Sequence, residues 1–211
     1  MSPTEAGSTN LSKINMGDAE RDQVPSFFCY SRRMDKNVRK LKDSGIGIIP
    51  TDTIYGIVGC ALDKPAVRKI YELKNRAPSK PFIVLISSPD DLELFNINVT
   101  PTVIESLDKH WPGPVSIILE CPDPDLDYLH RGTNTLAFRL PNNIELTNLI
   151  KQTGPLVAPS ANPEGLPSAN NISEAKAYFG DQIDFYVEGK VNSKPSKIIK
   201  ITKSGEEVIR P

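Results

Sequence analysis

The 211-residue chain is poor in the residues that build metal sites and covalent frameworks, with three cysteines, Cys29, Cys60 and Cys121, and two histidines, His110 and His130. No Cys-x-x-Cys pair occurs, which excludes the usual zinc site, and an odd, widely spaced cysteine set gives no disulfide framework. Such lone cysteines read as small core residues of a protein kept in a reducing, cytoplasmic compartment. Also missing is any apolar run long enough to cross a bilayer. The first 23 residues have no apolar h-region and are mixed in charge, so they form neither a secretory signal nor a transit peptide. Too polar to offset ordering entropy, residues 1–23 are expected to be a disordered tail. An excess of one charge is absent as well: 25 Lys and Arg against 26 Asp and Glu leave a net charge of -1. Without a basic field, the chain does not gather nucleic acid by charge alone.

What is present suits one globular domain over residues 24–211, with 38% hydrophobic and 24% charged residues. Apolar, β-branched runs predict strands at Ile46–Pro50, Ile57–Leu62, Pro81–Ser87, Val115–Glu120 and Thr135–Leu140, and another in PLVAPSAN, which runs into a loop. Helical spacing and caps predict helices at Asp35–Ser44, from an Asp63 cap to about Asn75, after Ser88, at Pro101–His110, Ile144–Thr153 and Ser173–Gly180. DFYVEG is a further strand, and KIIKIT and EVIRP finish the chain as edge strands of a hairpin turning at Lys203–Gly205. Interleaved strands and helices predict an α/β domain on a twisted, mixed, open sheet with helices packed on it.

Four segments carry more polar chemistry than a core needs. PTDTIYG (Pro50–Gly56) places hydroxyls and Asp52 at a strand exit, where α/β folds hold ligands; taken alone, it is more simply a turn with Asx or hydroxyl hydrogen bonds. LKNRAPSKPF (Leu73–Phe82) clusters Lys74, Arg76 and Lys80 at a helix end, either to complement the helix dipole or to surround a polyphosphate. Arg139, in LAFRLPNN, shares a strand face with Ala137. It is either an edge arginine reaching solvent or a clamp for a small carboxylate. VAPSANPEGLPSAN supplies Ser160, Asn162 and Ser168, either as a polar loop or as neutral donors to phosphate or ribose.

Taken together, TDTIYG, KNR, WPGP, LAFR and SAN stand in the order and spacing of the YrdC/TsaC threonylcarbamoyl-AMP synthases, which this chain resembles from about Met34 to Pro211. The resemblance is to the short, single-domain form. It implies an α/β twist fold with a large central cavity that takes ATP and threonine together. By position, Thr53, Arg139 and Ser196 would contact threonine. Lys74, Arg76, Lys80, Thr135, Ser160, Asn162, Ser168 and Arg210 would line the nucleotide, with Lys74 and Arg76 as the catalytic pair. Leu85 stands where some relatives have histidine, and Lys80 where some have asparagine. The implied enzyme is a nucleotidyltransferase: threonine and bicarbonate form a carbamate whose oxygen attacks the α-phosphate and expels pyrophosphate. No Ser-His-Asp set exists, so charge and positioning carry the reaction, not covalent catalysis. Mg²⁺ would arrive with ATP, bound through phosphates and waters, with no dedicated metal site on the protein. The expected partner is the downstream tRNA threonylcarbamoyl transferase machinery, with room for weak tRNA binding and no membrane. Two alternatives are an RNA-binding module using the same basic cavity and a diverged carbamoyl-adenylate transferase. The even charge balance and the lack of aromatic-basic interleaving count against the first.

Overall fold

A computed structural model describes residues 26–192, 194–202 and 205–211. The expected tail and most of the hairpin turn, Lys203 included, lie outside the described residues. Helix α1 (Ser26–Lys42) begins earlier than predicted, since no glycine or proline interrupts it. The other helices are α2 (Lys64–Lys74), α3 (Pro101–His110), α4 (Asp127–His130), α5 (Ile144–Thr153) and α6 (Ile172–Phe179). Their starts are set by the expected chemistry: Asp63 accepts from Ala66 N, Thr100 from Val103 N and Asn143 from Leu146 N. The segment after Ser88 is a 3₁₀ helix, Pro89–Phe95, closed by a capping box with Asp91.

Nine strands are described: β1 (Gly47–Pro50), β2 (Tyr55–Cys60), β3 (Ile83–Leu85), β4 (Val115–Glu120), β5 (Thr135–Arg139), β6 (Leu156–Val157), β7 (Phe185–Tyr186), β8 (Lys197–Thr202) and β9 (Gly205–Arg210). They form one mixed sheet in the order β7-β1-β2-β6-β3-β5-β4-β8-β9. The predicted α/β class and mixed sheet are therefore present. One strand expectation needs correcting: β8 is not an edge, because it pairs with β4 in parallel and with β9 antiparallel. Strand β6 is short, since Pro155 and Pro159 flank it and cannot donate to a ladder.

The two faces of the sheet are covered differently, and that difference makes the site. On one face Ile48, Ile57, Val84, Ile117, Leu136, Phe138 and Ile199 pack against residues of α2, α3 and α6 in the main core. On the other, Ile49, Val58, Leu85 and Leu156 pack against Val38 and Leu41 of α1 and Leu146, Leu149 and Ile150 of α5. This second layer reaches only the β7-β1-β2-β6-β3 part of the sheet. Over β5, β4 and β8 the alternate residues Ala137 and Arg139, Ile118, and Ile198 line a cavity instead.

Candidate functional site

The cavity measures about 500 Å³ and is bounded by the TDT turn, the 75–82 loop, β5, the SAN loop and the β8-β9 hairpin. Loop and strand are locked together at its mouth. Gly56 bridges Ser160, Ile57 N donates to Pro159 O at 2.9 Å, and Ala161 N donates to Tyr55 O at 2.9 Å. Those bonds bring two segments a hundred residues apart in sequence into one wall. The WPGP motif works from outside. Gly113 N donates to Leu140 O at 2.9 Å and Lys197 N to Pro114 O at 3.0 Å, tying the ends of β5 and β8 together.

Among the predicted site residues, Thr53, Arg76, Thr135, Arg139, Ser160, Asn162, Ser168, Ser196 and Arg210 all line this cavity. Among the described lining residues there are three arginines and no carboxylate. Such a space is electrostatically built for an anion.

Arg139 does not reach solvent, because β5 lies inside the sheet and the residue is 4% exposed. Its Nη2 lies 3.1 Å from Asp52 Oδ1 and 3.5 Å from Thr51 Oγ1. Burial lowers its pKa from the usual value; Asp52 opposes that shift and Arg210 adds to it. Arg210 is held by Ser196: Nε and Nη2 donate to Ser196 O at 3.0 and 2.6 Å, and Nη2 to Ser196 Oγ at 3.2 Å. Burial lowers the Arg210 pKa as well. Ser168 Oγ is buried without a hydrogen-bond partner among the described residues, a hydroxyl left open on the cavity wall.

Lys74 and Lys80 do not line the cavity. Lys74 is 1% exposed, and its ammonium donates to Ser160 O, Asn162 O and Asn162 Oδ1. It stands behind the SAN loop and sets that loop's shape. Burial, then neighbouring Arg76, pull its pKa down to about 8, partly opposed by Glu164. Lys80 extends outward into an ion pair with Glu164, 2.5 Å from Oε1, while Glu164 Oε2 accepts from Ala77 N at 2.7 Å. The lysine that replaces asparagine thus braces the 75–82 loop against the SAN loop. Leu85 pairs with Arg139 in register but is wholly buried against the α1-α5 layer and does not line the cavity.

Sequence reasoning passed over Thr133 and Phe82, which line the cavity, and Ser116, which lies beneath it. Ser116 is fully buried, and its hydroxyl is 2.9 Å from Ser196 Oγ. The available signal was a lone serine in the apolar run VSIILE, on the face that strand alternation assigns to Ile118. No group of three or more His, Cys, Asp or Glu able to hold a metal ion occurs among the described residues. No helix among them is long and apolar enough to cross a membrane.

Residues 39–211 match the Sua5_yciO_yrdC family model, described as telomere recombination. A threonylcarbamoyl-AMP synthase of Marinobacter nauticus is 35% identical over 163 residues, 74% of this chain and 85% of the relative. Another, from Pyrococcus abyssi, is 30% identical over 175 residues, 81% of this chain but 51% of the relative, so the chain spans about half that protein's length. The solved structure of P. abyssi Sua5 complexed with L-threonine superposes with a TM-score of 0.79 at 27% identity, over 85% of this chain and 54% of that one. The chain belongs to the Sua5/YciO/YrdC family.

Proposed function

We propose that this member of the family is a threonylcarbamoyl-AMP synthase, joining L-threonine, bicarbonate and ATP into threonylcarbamoyl-AMP with release of water and pyrophosphate. The observation that carries the reading is the cavity's polarity, in which Arg76, Arg139 and Arg210 face one space with no carboxylate among the described lining residues. An anionic carbamate must approach an anionic phosphate there, and fixed cations lower that barrier at no reorganisation cost. Arg139 takes the threonine carboxylate, with Thr53 and Ser196 beside it. Arg76, Arg210, Thr135, Ser160, Asn162 and Ser168 hold the nucleotide, with Lys74 and Lys80 fixing the loops that present them. The carbamate oxygen bonds to the α-phosphorus as the bond to pyrophosphate breaks. Since the lining residues offer no carboxylate, Mg²⁺ belongs to the ATP substrate, held by phosphate oxygens and water.

The product is a reactive mixed anhydride, so it is handed on in the cytoplasm to a transferase that modifies tRNA. Weak contact with that tRNA fits the open cavity mouth. The test is incubation with ATP, labelled bicarbonate and threonine, read by mass spectrometry. Product that requires all three supports the reading. Pyrophosphate release that is equal without threonine defeats it.

A further inference from the structure

Four side chains stack in sequence from the outside of the domain into the cavity. The Arg131 guanidinium lies over the Tyr71 ring, 4.6 Å from its centroid. Tyr71 stacks on Phe82 with centroids 4.0 Å apart and planes 22° from parallel. The Arg76 guanidinium lies over Phe82, 5.5 Å from its centroid. Arg131 and Tyr71 line a separate depression beside α2 and α4, while Phe82 and Arg76 line the cavity. Hydrogen bonds follow the same route: Arg131 Nε donates to Pro78 O at 2.7 Å, Tyr71 Oη to Lys80 O at 2.9 Å, and Arg76 Nε to Lys80 O at 3.2 Å. The 75–82 loop is thus held at Pro78 and Lys80 by Arg131 and Tyr71, neither of which lines the cavity.

We propose that Arg131 and Tyr71 are positioning residues that hold Arg76 and Phe82 in place for the nucleotide. The backbone supports a functional reason for arginine at 131. It caps α4 with φ 56°, a left-handed conformation that favours glycine or asparagine. A residue ill-suited to that backbone is present, and its guanidinium both stacks on Tyr71 and donates to Pro78 O. A guanidinium can satisfy both partners because its plane stacks on a ring while its edge donates in that plane. An arginine in the cavity has four rotatable bonds, so without such a stack its ordering would have to be supplied on binding.

This inference rests on the nucleotide reading of the cavity, and two readouts keep the two apart. Arg131→Asn removes the guanidinium yet suits the left-handed backbone, Arg131→Lys keeps the cation, and Tyr71→Phe keeps the stack while removing the bond to Lys80 O. Steady-state kinetics of the full chain should show KM for ATP raised about 3- to 30-fold in Arg131→Asn, as expected for a lost cation–π contact. The threonine KM should stay unchanged, and Arg131→Lys should recover part of the loss. Equal changes in both KM values, or none, would overturn the proposal. In the ligand-free protein, the Arg76 Nε–H signal in a nitrogen–proton NMR spectrum should exchange slowly and broaden in Arg131→Asn. An unaltered signal overturns the stack even if the functional reading fails.

Discussion

The Arg139 guanidinium and the Asp52 carboxylate meet at 3.1 Å with both side chains under a tenth exposed. Yet neither Asp52 oxygen nor Arg139 Nε completes a hydrogen bond among the described residues. Charge is matched, but directional bonding is left open. Burial lowers the Arg139 pKa and Asp52 opposes that shift, so the guanidinium meets the cavity charge-matched but under-bonded. On the proposed reading, that open bonding is what the threonine carboxylate would use.

From that relationship, Arg139→Ala is expected to raise the KM for threonine by about 30-fold or more, the usual scale for removing one partner of a buried charge pair. The KM for ATP should stay within about threefold. If ATP binding is lost first, Arg139 is not the carboxylate clamp.

Replacing Arg76 by alanine should lower turnover about 100-fold, because one preorganised charge contributes on the order of 3 kcal/mol to such a transition state. A near-normal kcat would return Arg76 to a helix-end charge.

Lys74 gives a pH test with two opposite signs. Its pKa is lowered to about 8 in the fold, so above that pH one carbonyl of the SAN loop loses its donor and ATP affinity should fall. Between about 8 and the ordinary lysine value the unfolded chain binds the extra proton, so Lys74 by itself makes stability rise with pH there. Titration calorimetry with ATP from pH 7 to 9 should show weakening in the wild type and much less in Lys74→Arg. Parallel profiles would mean that Lys74 is not the titrating group.

Glu206 anchors the edge strand that carries Arg210. It accepts from Ser106 Oγ and Lys109 Nζ at 3.0 Å each and meets His110 Nε2 at 3.0 Å. Those contacts, the His110 bond first, bring its pKa down to about 2. A depressed acid contributes stability above its unfolded pKa and loses it as pH falls through the folded value. The melting-temperature gap between wild type and Glu206→Gln should therefore be full at pH 6 and shrink from about pH 4.5 toward 2. A gap independent of pH would show that the carboxylate's charge is not what holds the strand.

Ser116→Ala is expected to raise the threonine KM by about 3- to 10-fold, the scale of one lost hydrogen bond. Ser196 would keep its place through its backbone bond to Arg210 but lose the partner that orients its hydroxyl. Unchanged kinetics would leave Ser116 as packing alone.

Much of the site was legible because its residues are punctuated by local chemistry. TDT, SAN and KNR each sit at a strand exit or helix end, where turn residues and charges are conspicuous in one dimension. Phe82, Thr133 and the Arg131–Tyr71 pair were not, since an arginine after a short helix carries no local signal, and Ser116 showed only as a lone serine in an apolar strand. The division of labour between Lys74 and Arg76 was also hidden: both are cations two residues apart, but one faces the sheet and the other the cavity.

The sequence alone determined most element types, the caps that start α2 and α3, and the family, because periodicity, capping and ordered motifs depend only on near neighbours. Tertiary structure decided which strands were interior, where the second helical layer stopped, and which cations met the cavity. Those outcomes depend on pairings between segments distant in sequence, such as Val115 with Lys197 and Gly56 with Ser160, that no local pattern specifies. By leaving β5, β4 and β8 uncovered on one face, those pairings turned Arg139 from a charge within a strand into part of a cavity wall.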